Sequence, residues 1–198
     1  YLNSTQDDTG MIQSFGKSSW ATMALASADI DPHDVRTSPS NPSVVDYLRD
    51  NGDQLSSATD YERYIMSVCA AGEDPNNFGG HNYTADLVAF YDGTQMGDSS
   101  QLNDDTYGIM ALVCAGVPPD SEIVQNIATF IKNNQNSDGG WSWAVGGDSD
   151  TDDTAAAILA LIMAGEDPSS QCIQDALAFL QTTQNDDGGF GWSPSDTD

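Results

Sequence analysis

The amino-acid sequence predicts an all-α protein whose helices lie in about four consecutive antiparallel pairs, as one domain over residues 1–198. Three observations predict it. Apolar runs of helical length recur and end at Gly followed by Pro, an amphipathic run follows each of them, and a segment containing Gly and aromatic residues follows the later pairs. A chain of 198 residues is long enough to bury a sizeable core.

The first repeated element is an apolar helix with a defined end. Gly can adopt the left-handed conformation that ends a helix, and the Pro that follows cannot continue one. The glycines Gly72, Gly116 and Gly165 lie 44 and 49 residues apart, a spacing typical of helical arrays. A weaker copy has Asp29 where Gly is expected. The copies are "YIMSVCAAGEDP" (64–75), "YGIMALVCAGVPP" (107–119), "AAAILALIMAGEDP" (155–168) and "SWATMALASADIDP" (19–32).

The second element is an amphipathic helix after each of these ends. In "SEIVQNIATFIKNNQ" the side chains of Ile123, Ile127 and Ile131 share one helix face, as do those of Ile173 and Leu177 in the last copy. The apolar helices should be buried on most sides, and the amphipathic helices should have one solvent-exposed face. Together they predict an inner and an outer layer of helices. The predicted pairs are 18–28 with 42–52, 57–71 with 82–92, 103–115 with 120–134, and 151–165 with 170–184.

The third element is a segment present twice at a 49-residue offset, "QNSDGGWSW" (135–143) and "QNDDGGFGW" (184–192). The glycines permit a tight reversal, the aromatic residue fills a gap between helix pairs, and Gln can bond to backbone at a helix end. We therefore expect the segment to fasten successive pairs, with Trp141 and Trp192 packed between them. Degenerate copies stand at 6–10 and 91–98. The residues involved are Gln135, Gly139, Gly140 and Trp141 in the first copy, and Gln184, Gly188, Gly189 and Phe190 in the second.

This third element resembles the QW motif of the squalene–hopene cyclase and protein prenyltransferase superfamily. The resemblance covers nearly the whole chain and is clearest in its second half. It implies an α/α toroid, with inner and outer helix rings, that closes with six helix pairs in the family. Four pairs fit here, so the sequence predicts an incomplete or truncated barrel.

The stretch "DTDDTA" (150–155) carries the main question about function. It resembles the DxDD motif of class II terpene cyclases, in which clustered carboxylates keep one acid protonated. That resemblance implies Asp152 as the proton donor, tuned by Asp150 and Asp153. The favoured interpretation is instead a helix cap at Asp153-Thr154, because "DDT" also begins the apolar run of the preceding repeat. No catalytic residue is therefore favoured.

Calcium binding is a further hypothesis for the same stretch. Asp148, Asp150 and Asp152 alternate as in a calcium-binding loop, although the distant Glu of a full loop is absent. No other cofactor is favoured. A prenyltransferase zinc site is excluded, because the chain has two His and no Asp-x-Cys.

Composition limits the partners. Five Lys and Arg against 31 Asp and Glu give a formal net charge of −26, which excludes nucleic acid and anionic membranes as partners. No stretch is long enough to insert into a membrane. The sequons at Asn3 and Asn82 would accept glycans in an exported protein.

These patterns predict a non-catalytic, acidic glycoprotein module outside the cell or on its surface. Its expected partners are other protein subunits or surface components, and the sequence does not identify a ligand. Two alternatives stay open: a class II terpene cyclase-like enzyme fragment, and a toroid that carries cobalamin or another small cofactor.

Overall fold

Eight α-helices form the regular structure of residues 5–196, the part of the chain that this computed structural model describes. No strand occurs among these residues, and only isolated β-bridges connect extended segments. The prediction of an all-α protein with four helix pairs is confirmed. The helices are α1 (Phe15–Ser27), α2 (Val44–Asp50), α3 (Ala58–Ala70), α4 (Tyr83–Val88), α5 (Leu102–Cys114), α6 (Glu122–Asn133), α7 (Thr151–Met163) and α8 (Gln171–Thr183).

The ends of the apolar helices have the predicted geometry. Gly72, Gly116 and Gly165 have φ of 77°, 89° and 91°, in the left-handed region. Asp29 takes the same role with φ of 56°, although it carries a side chain. In each copy the next backbone N–H donates to a carbonyl five residues earlier, as in Ile30 to Leu25 and its three equivalents.

The chain divides into two compact units, Tyr1–Ala89 and Phe90–Asp198. The single domain over residues 1–198 therefore stays a prediction. In the first unit α1 packs against α2 and α3, and α3 packs against α4. The ring of Tyr64 lies at the centre, stacked on Phe15 and edge-on to Phe78 and Tyr83, and its hydroxyl donates to the Leu48 carbonyl at 2.7 Å.

In the second unit α5 and α7 contact each other, and each also contacts the amphipathic helix that follows it. Fully buried side chains of α5 and α6 form the core, among them Ile109, Leu112, Ile127 and Ile131. This is the expected arrangement of inner and outer helices, formed because α6 has one apolar face whereas α5 is apolar on most sides.

One side of α7 differs from the expectation that the apolar helices are buried all round. The side chain of Leu159 is 52% exposed, although it lies in the most apolar run of the sequence. Among the described helices none combines the length and apolarity that crossing a membrane requires.

Aspartate side chains build many of the turns between helices. In each of these turns the carboxylate accepts a hydrogen bond from the backbone N–H two residues later, at 2.8–3.0 Å. Eight of the 31 acidic side chains are therefore part of the loop structure. The residues are Asp7, Asp31, Asp74, Asp92, Asp98, Asp138, Asp167 and Asp187.

Candidate functional site at the start of α7

The first turn of α7 is capped by Asp150. Its backbone is extended (φ −134°, ψ 166°) and its carboxylate accepts from the Asp153 N–H at 2.9 Å. Asp150 is only 2% exposed. The prediction of a helix cap is right for the stretch but wrong for the residue, which was expected to be Asp153-Thr154. Thr154 instead accepts from the Trp141 N–H at 2.9 Å and so ties α7 to the preceding loop.

Asp153 lies half-buried beside the cap. Burial raises the pKa of its carboxyl to about 7, and the hydrogen bond and negative charge of Asp150 raise it further, against a smaller lowering by the Trp143 N–H. The carboxyl of Asp153 is therefore about half protonated near neutral pH. The side chain of Asp152, which the DxDD resemblance implied as proton donor, is exposed to solvent.

A second buried acid stands at the start of α5. Asp105 is fully buried; its Oδ1 accepts from the Met96 N–H at 2.8 Å, and its Oδ2 has no hydrogen-bond partner among the described residues. Burial raises its pKa to about 8, opposed by the Met96 bond and assisted by the charges of Asp104 and Asp92. Asp105 is not among the residues predicted to be functional, and its only signal in the sequence is the "DDT" that the starts of α5 and α7 share.

Asp105 belongs to a contact that recurs at the start of three inner helices. The fourth residue of the helix accepts, through its side chain, the backbone N–H of a buried apolar residue in the preceding loop. The donor and acceptor residues are Ile12 and Ser18, Met96 and Asp105, and Trp141 and Thr154. The start of α7 is thus a repeated structural joint as well as an acidic site.

The first QW-like copy connects α6 and α8 through hydrogen bonds. The Gln135 amide donates to the Gly139 and Cys172 carbonyls, both at 2.8 Å, and so connects the loop to α8. Trp141 is fully buried, and its indole N–H donates to the Ile131 carbonyl in α6 at 2.8 Å. A Cβ on Gly139 would lie 2.5 Å from the Asp175 carbonyl oxygen, which explains the glycine there.

Gln6, in the degenerate copy at 6–10, reaches two carbonyls in the same way, those of Gly10 and Val35 at 3.0 and 2.9 Å.

The second QW-like copy has a different environment. The Gln184 amide donates to the Gly188 carbonyl at 3.1 Å, the equivalent of the first bond of Gln135. However, Phe190 and Trp192 are each 53% exposed. Contrary to the expectation, Trp192 does not pack between helix pairs within residues 5–196, in which α8 is the last helix.

The three residues of the calcium hypothesis have unlike environments. Asp148 and Asp152 are exposed, whereas Asp150 is buried and already accepts a backbone hydrogen bond. Within residues 5–196 no three His, Cys, Asp or Glu side chains are arranged to hold a metal ion. Calcium binding stays a prediction without a preformed site in this part of the chain.

A cavity of about 520 Å³ lies beside the start of α7, and Asp148 is one of its lining residues. The lining is polar and comes from three loop segments. It consists of Asn136, Ser137, Asp138, Gly146, Gly147, Asp148, Ser149, Ser193, Pro194 and Ser195.

The sequon at Asn82 lies at the start of α4. Asn82 is exposed and caps the helix by accepting from the Ala85 N–H at 2.8 Å. Thr84, the third residue of the sequon, is 6% exposed with a buried hydroxyl. A glycan would therefore have to be attached before this segment folds. Asn3 lies outside the described residues.

The family model of the squalene-hopene cyclase C-terminal domain matches residues 75–197, more than half of the chain. No curated protein matches the chain. The helix pairs and the joints between them agree with the α/α toroid that the resemblance implied. The chain therefore belongs to the family of the squalene-hopene cyclase C-terminal domain.

Proposed function

We propose that this protein is a non-catalytic binding or assembly module that acts outside the cell or on its surface. The observation that carries the proposal is the use made of the acidic stretch at the start of α7. Asp150 is a buried helix cap, and Thr154 accepts a hydrogen bond from the Trp141 N–H. Asp152 is exposed to solvent, so it is not a buried acid that could face a substrate. The stretch thus has a complete structural role.

The surroundings of the stretch also favour a module over a cyclase. A class II cyclase has to protonate an alkene and shield a carbocation from water, which requires an enclosed cavity lined by apolar and aromatic side chains. The cavity beside α7 is lined by Asn, Ser, Gly, Asp and Pro, and no aromatic residue lines it. Asp148, Asp152 and the ring of Trp143 face solvent at this end of the unit.

One observation favours the cyclase-like alternative. The pKa of Asp153 is raised to about 7, so this carboxyl holds a proton at a pH where an ordinary aspartate does not. A protonated carboxylic acid is the group that class II cyclisation uses. If this chain has acid chemistry, Asp153 is the residue that we expect to carry it.

A turnover experiment separates the two functions. The purified protein is incubated with squalene in detergent between pH 5 and pH 8, and the products are analysed by gas chromatography and mass spectrometry. We expect no cyclised product from the wild type or from Asp152→Asn, Asp153→Asn and the exposed control Asp148→Asn. A cyclic product that disappears in the Asp152 or Asp153 variant, but persists in the Asp148 variant, would overturn the proposal.

The surface location is tested in the cells that make the protein. A protease added to intact cells should degrade the protein while a cytoplasmic marker stays whole. Protection of the protein until the cells are lysed would contradict the location. The high negative charge supports this location, because carboxylates are screened in saline surroundings.

A further inference from the structure

A pocket of about 310 Å³ lies in the first unit, lined by residues of α3, of α4 and of the 3₁₀ turn Gly52–Gln54. This volume is in the range of small-molecule sites. All of its described lining residues belong to the first unit. The pocket, which we call the tyrosine pocket, combines aromatic with acidic side chains, those of Asp53, Tyr61, His81, Tyr83 and Asp86.

Tyr83 forms a fixed wall of this pocket. Its ring lies edge-on to that of Tyr64, with 4.8 Å between the centroids, and 4.7 Å from the centroid of the His81 imidazole. A Cβ on Gly52 would collide with the Tyr83 hydroxyl, so the glycine leaves room for it. Because the ring is held in place before a ligand arrives, binding against it orders no further side chain.

Asp86 holds the two other aromatic residues of the pocket. Its Oδ2 accepts a hydrogen bond from His81 Nε2 at 2.6 Å, and the Tyr61 hydroxyl is hydrogen-bonded to the same carboxylate. Tyr61 is half-buried, and part of its side chain stays open to the pocket. Asp86 therefore orients an imidazole and a phenol around the pocket.

The electrostatic environment of the pocket is negative. Asp53 and Asp86 line it, and its described lining residues include no Lys or Arg. His81 is bound to Asp86, whereas Asp53 is exposed and forms no ion pair with a described residue. Burial raises the pKa of the Tyr61 hydroxyl, and the charge of Asp86 raises it further. The pocket therefore favours a cationic ligand.

The rings indicate which kind of cation fits. A metal ion needs several oxygen or nitrogen ligands, and within residues 5–196 no three His, Cys, Asp or Glu side chains are placed to supply them. An alkylammonium group is instead attracted by the faces of aromatic rings and by a nearby carboxylate. Tyrosine rings beside carboxylates in one pocket match this second kind of cation.

We propose that the tyrosine pocket binds a small organic ammonium cation, which contacts the rings of Tyr61 and Tyr83 and is balanced by the charge of Asp53. The proposal goes beyond the module function, because it assigns a ligand class where that function names none. It does not rest on the absence of catalysis, since a binding module and a cyclase-like enzyme could each carry this pocket.

Calorimetric titration of the whole chain with choline tests the proposal. The matched control ligand is dimethylbutanol, the uncharged analogue in which carbon replaces the nitrogen of choline. Methyl glucoside is the third ligand, because rings and carboxylates also suit a carbohydrate. The buffer contains about 0.15 M NaCl, so that general attraction of cations to a chain of net charge −26 is screened.

The pocket variants remove one ring or one charge. Tyr61→Leu removes a ring, and Asp53→Asn removes the charge of an exposed residue without changing its shape. Their controls are Tyr91→Leu and Asp186→Asn, at a half-buried tyrosine and an exposed aspartate of the second unit. Circular dichroism verifies folding, and the exposed Asp53→Asn still tests the pocket if Tyr61→Leu fails to fold.

We expect one choline site per chain, with dimethylbutanol bound at least about threefold more weakly. Tyr61→Leu should weaken choline binding by roughly 2- to 30-fold and Asp53→Asn by about 2- to 5-fold, while both controls bind as the wild type does. Absence of choline binding, equal binding of the neutral analogue, or wild-type affinity in both pocket variants would overturn the proposal. So would saturable binding of methyl glucoside without binding of choline, which would indicate a carbohydrate site. A cyclised product in the squalene assay would overturn the module function and leave the cation site intact.

Discussion

Replacing Asp105 by Asn is expected to remove a pH dependence from the stability of this protein. The carboxyl is fully buried and its pKa is raised from 3.8 to about 8, chiefly by burial. A group with a raised folded pKa binds its proton more tightly in the folded state than in the unfolded chain. Its contribution to stability is therefore complete at acid pH, and it is lost as the pH rises through the folded pKa.

The magnitude follows from the linkage relation. Between the unfolded and the folded pKa, one such group lowers the free energy of unfolding by about 1.4 kcal/mol for each pH unit. From pH 5 to pH 7.5 the loss due to Asp105 is about 3 kcal/mol. Carboxylates with lowered pKa, such as Asp46 and Asp60, change the stability with pH only at or below about pH 3.8. They therefore add nothing to the change in the free energy of unfolding between pH 5 and pH 7.5.

The assay is urea unfolding at pH 5 and pH 7.5, followed by circular dichroism at constant ionic strength. Asp105→Asn keeps the shape of the side chain and an oxygen that can accept from the Met96 N–H, but it does not ionise. The variant should lose about 3 kcal/mol of the difference between the two pH values. Asp98→Asn, at an exposed turn before the same helix, should keep it.

A wild type that is equally stable at both pH values, or an Asp105→Asn protein with the full wild-type difference, would refute the raised pKa of Asp105. A residual pH dependence of smaller size is expected in the variant. It comes from Asp153, whose pKa is also raised, to about 7. A double variant with Asp153→Asn should be flatter still.

Three further results are expected. Asp29→Gly should stabilise the protein by about 1 kcal/mol in urea unfolding, because Gly adopts the left-handed conformation of Asp29 without steric cost; an unchanged or lower stability would contradict this. Asp150→Ala should lower the free energy of unfolding by about 1 kcal/mol for the lost cap, whereas Asp152→Ala should change it by less than about 0.5 kcal/mol. NaCl should raise the melting temperature by screening, and CaCl₂ at equal ionic strength should raise it further only if Asp148, Asp150 and Asp152 bind an ion; equal shifts would exclude that site.

The helix pairs could be predicted because their signals are local. The period of the apolar residues and the Gly-Pro ends lie within or directly after each helix, and even Asp29 can be recognised as a helix end by its place in the repeat. The lengths of the outer helices in the first unit were less predictable. There α2 has seven residues and α4 has six, shorter than the predicted spans, since their sequences lack a long apolar period.

The sequence predicts where the site lies, but not which aspartate caps the helix or which one is buried. Any of the clustered aspartates can cap a helix, and only the backbone around Trp141 decides that Asp150 does so. The burial of Asp105 depends on a loop residue, Met96, that precedes the helix. The exposure of Phe190 depends on whether a further helix pair covers it, which two near-identical motifs cannot reveal.

The negative charge of the aspartate turns can be removed without changing the hydrogen bonds that form these turns. In each turn only one carboxylate oxygen accepts the backbone N–H two residues later, as Asp138 does for Gly140 and Asp167 for Ser169. The amide oxygen of Asn can accept the same bond without carrying a charge. A version of the chain with Asn at the exposed turns would therefore keep its loops at a much lower net charge. Such a protein should fold at low ionic strength, where the natural chain repels itself, and the surface charge would be tunable without redesigning a single turn.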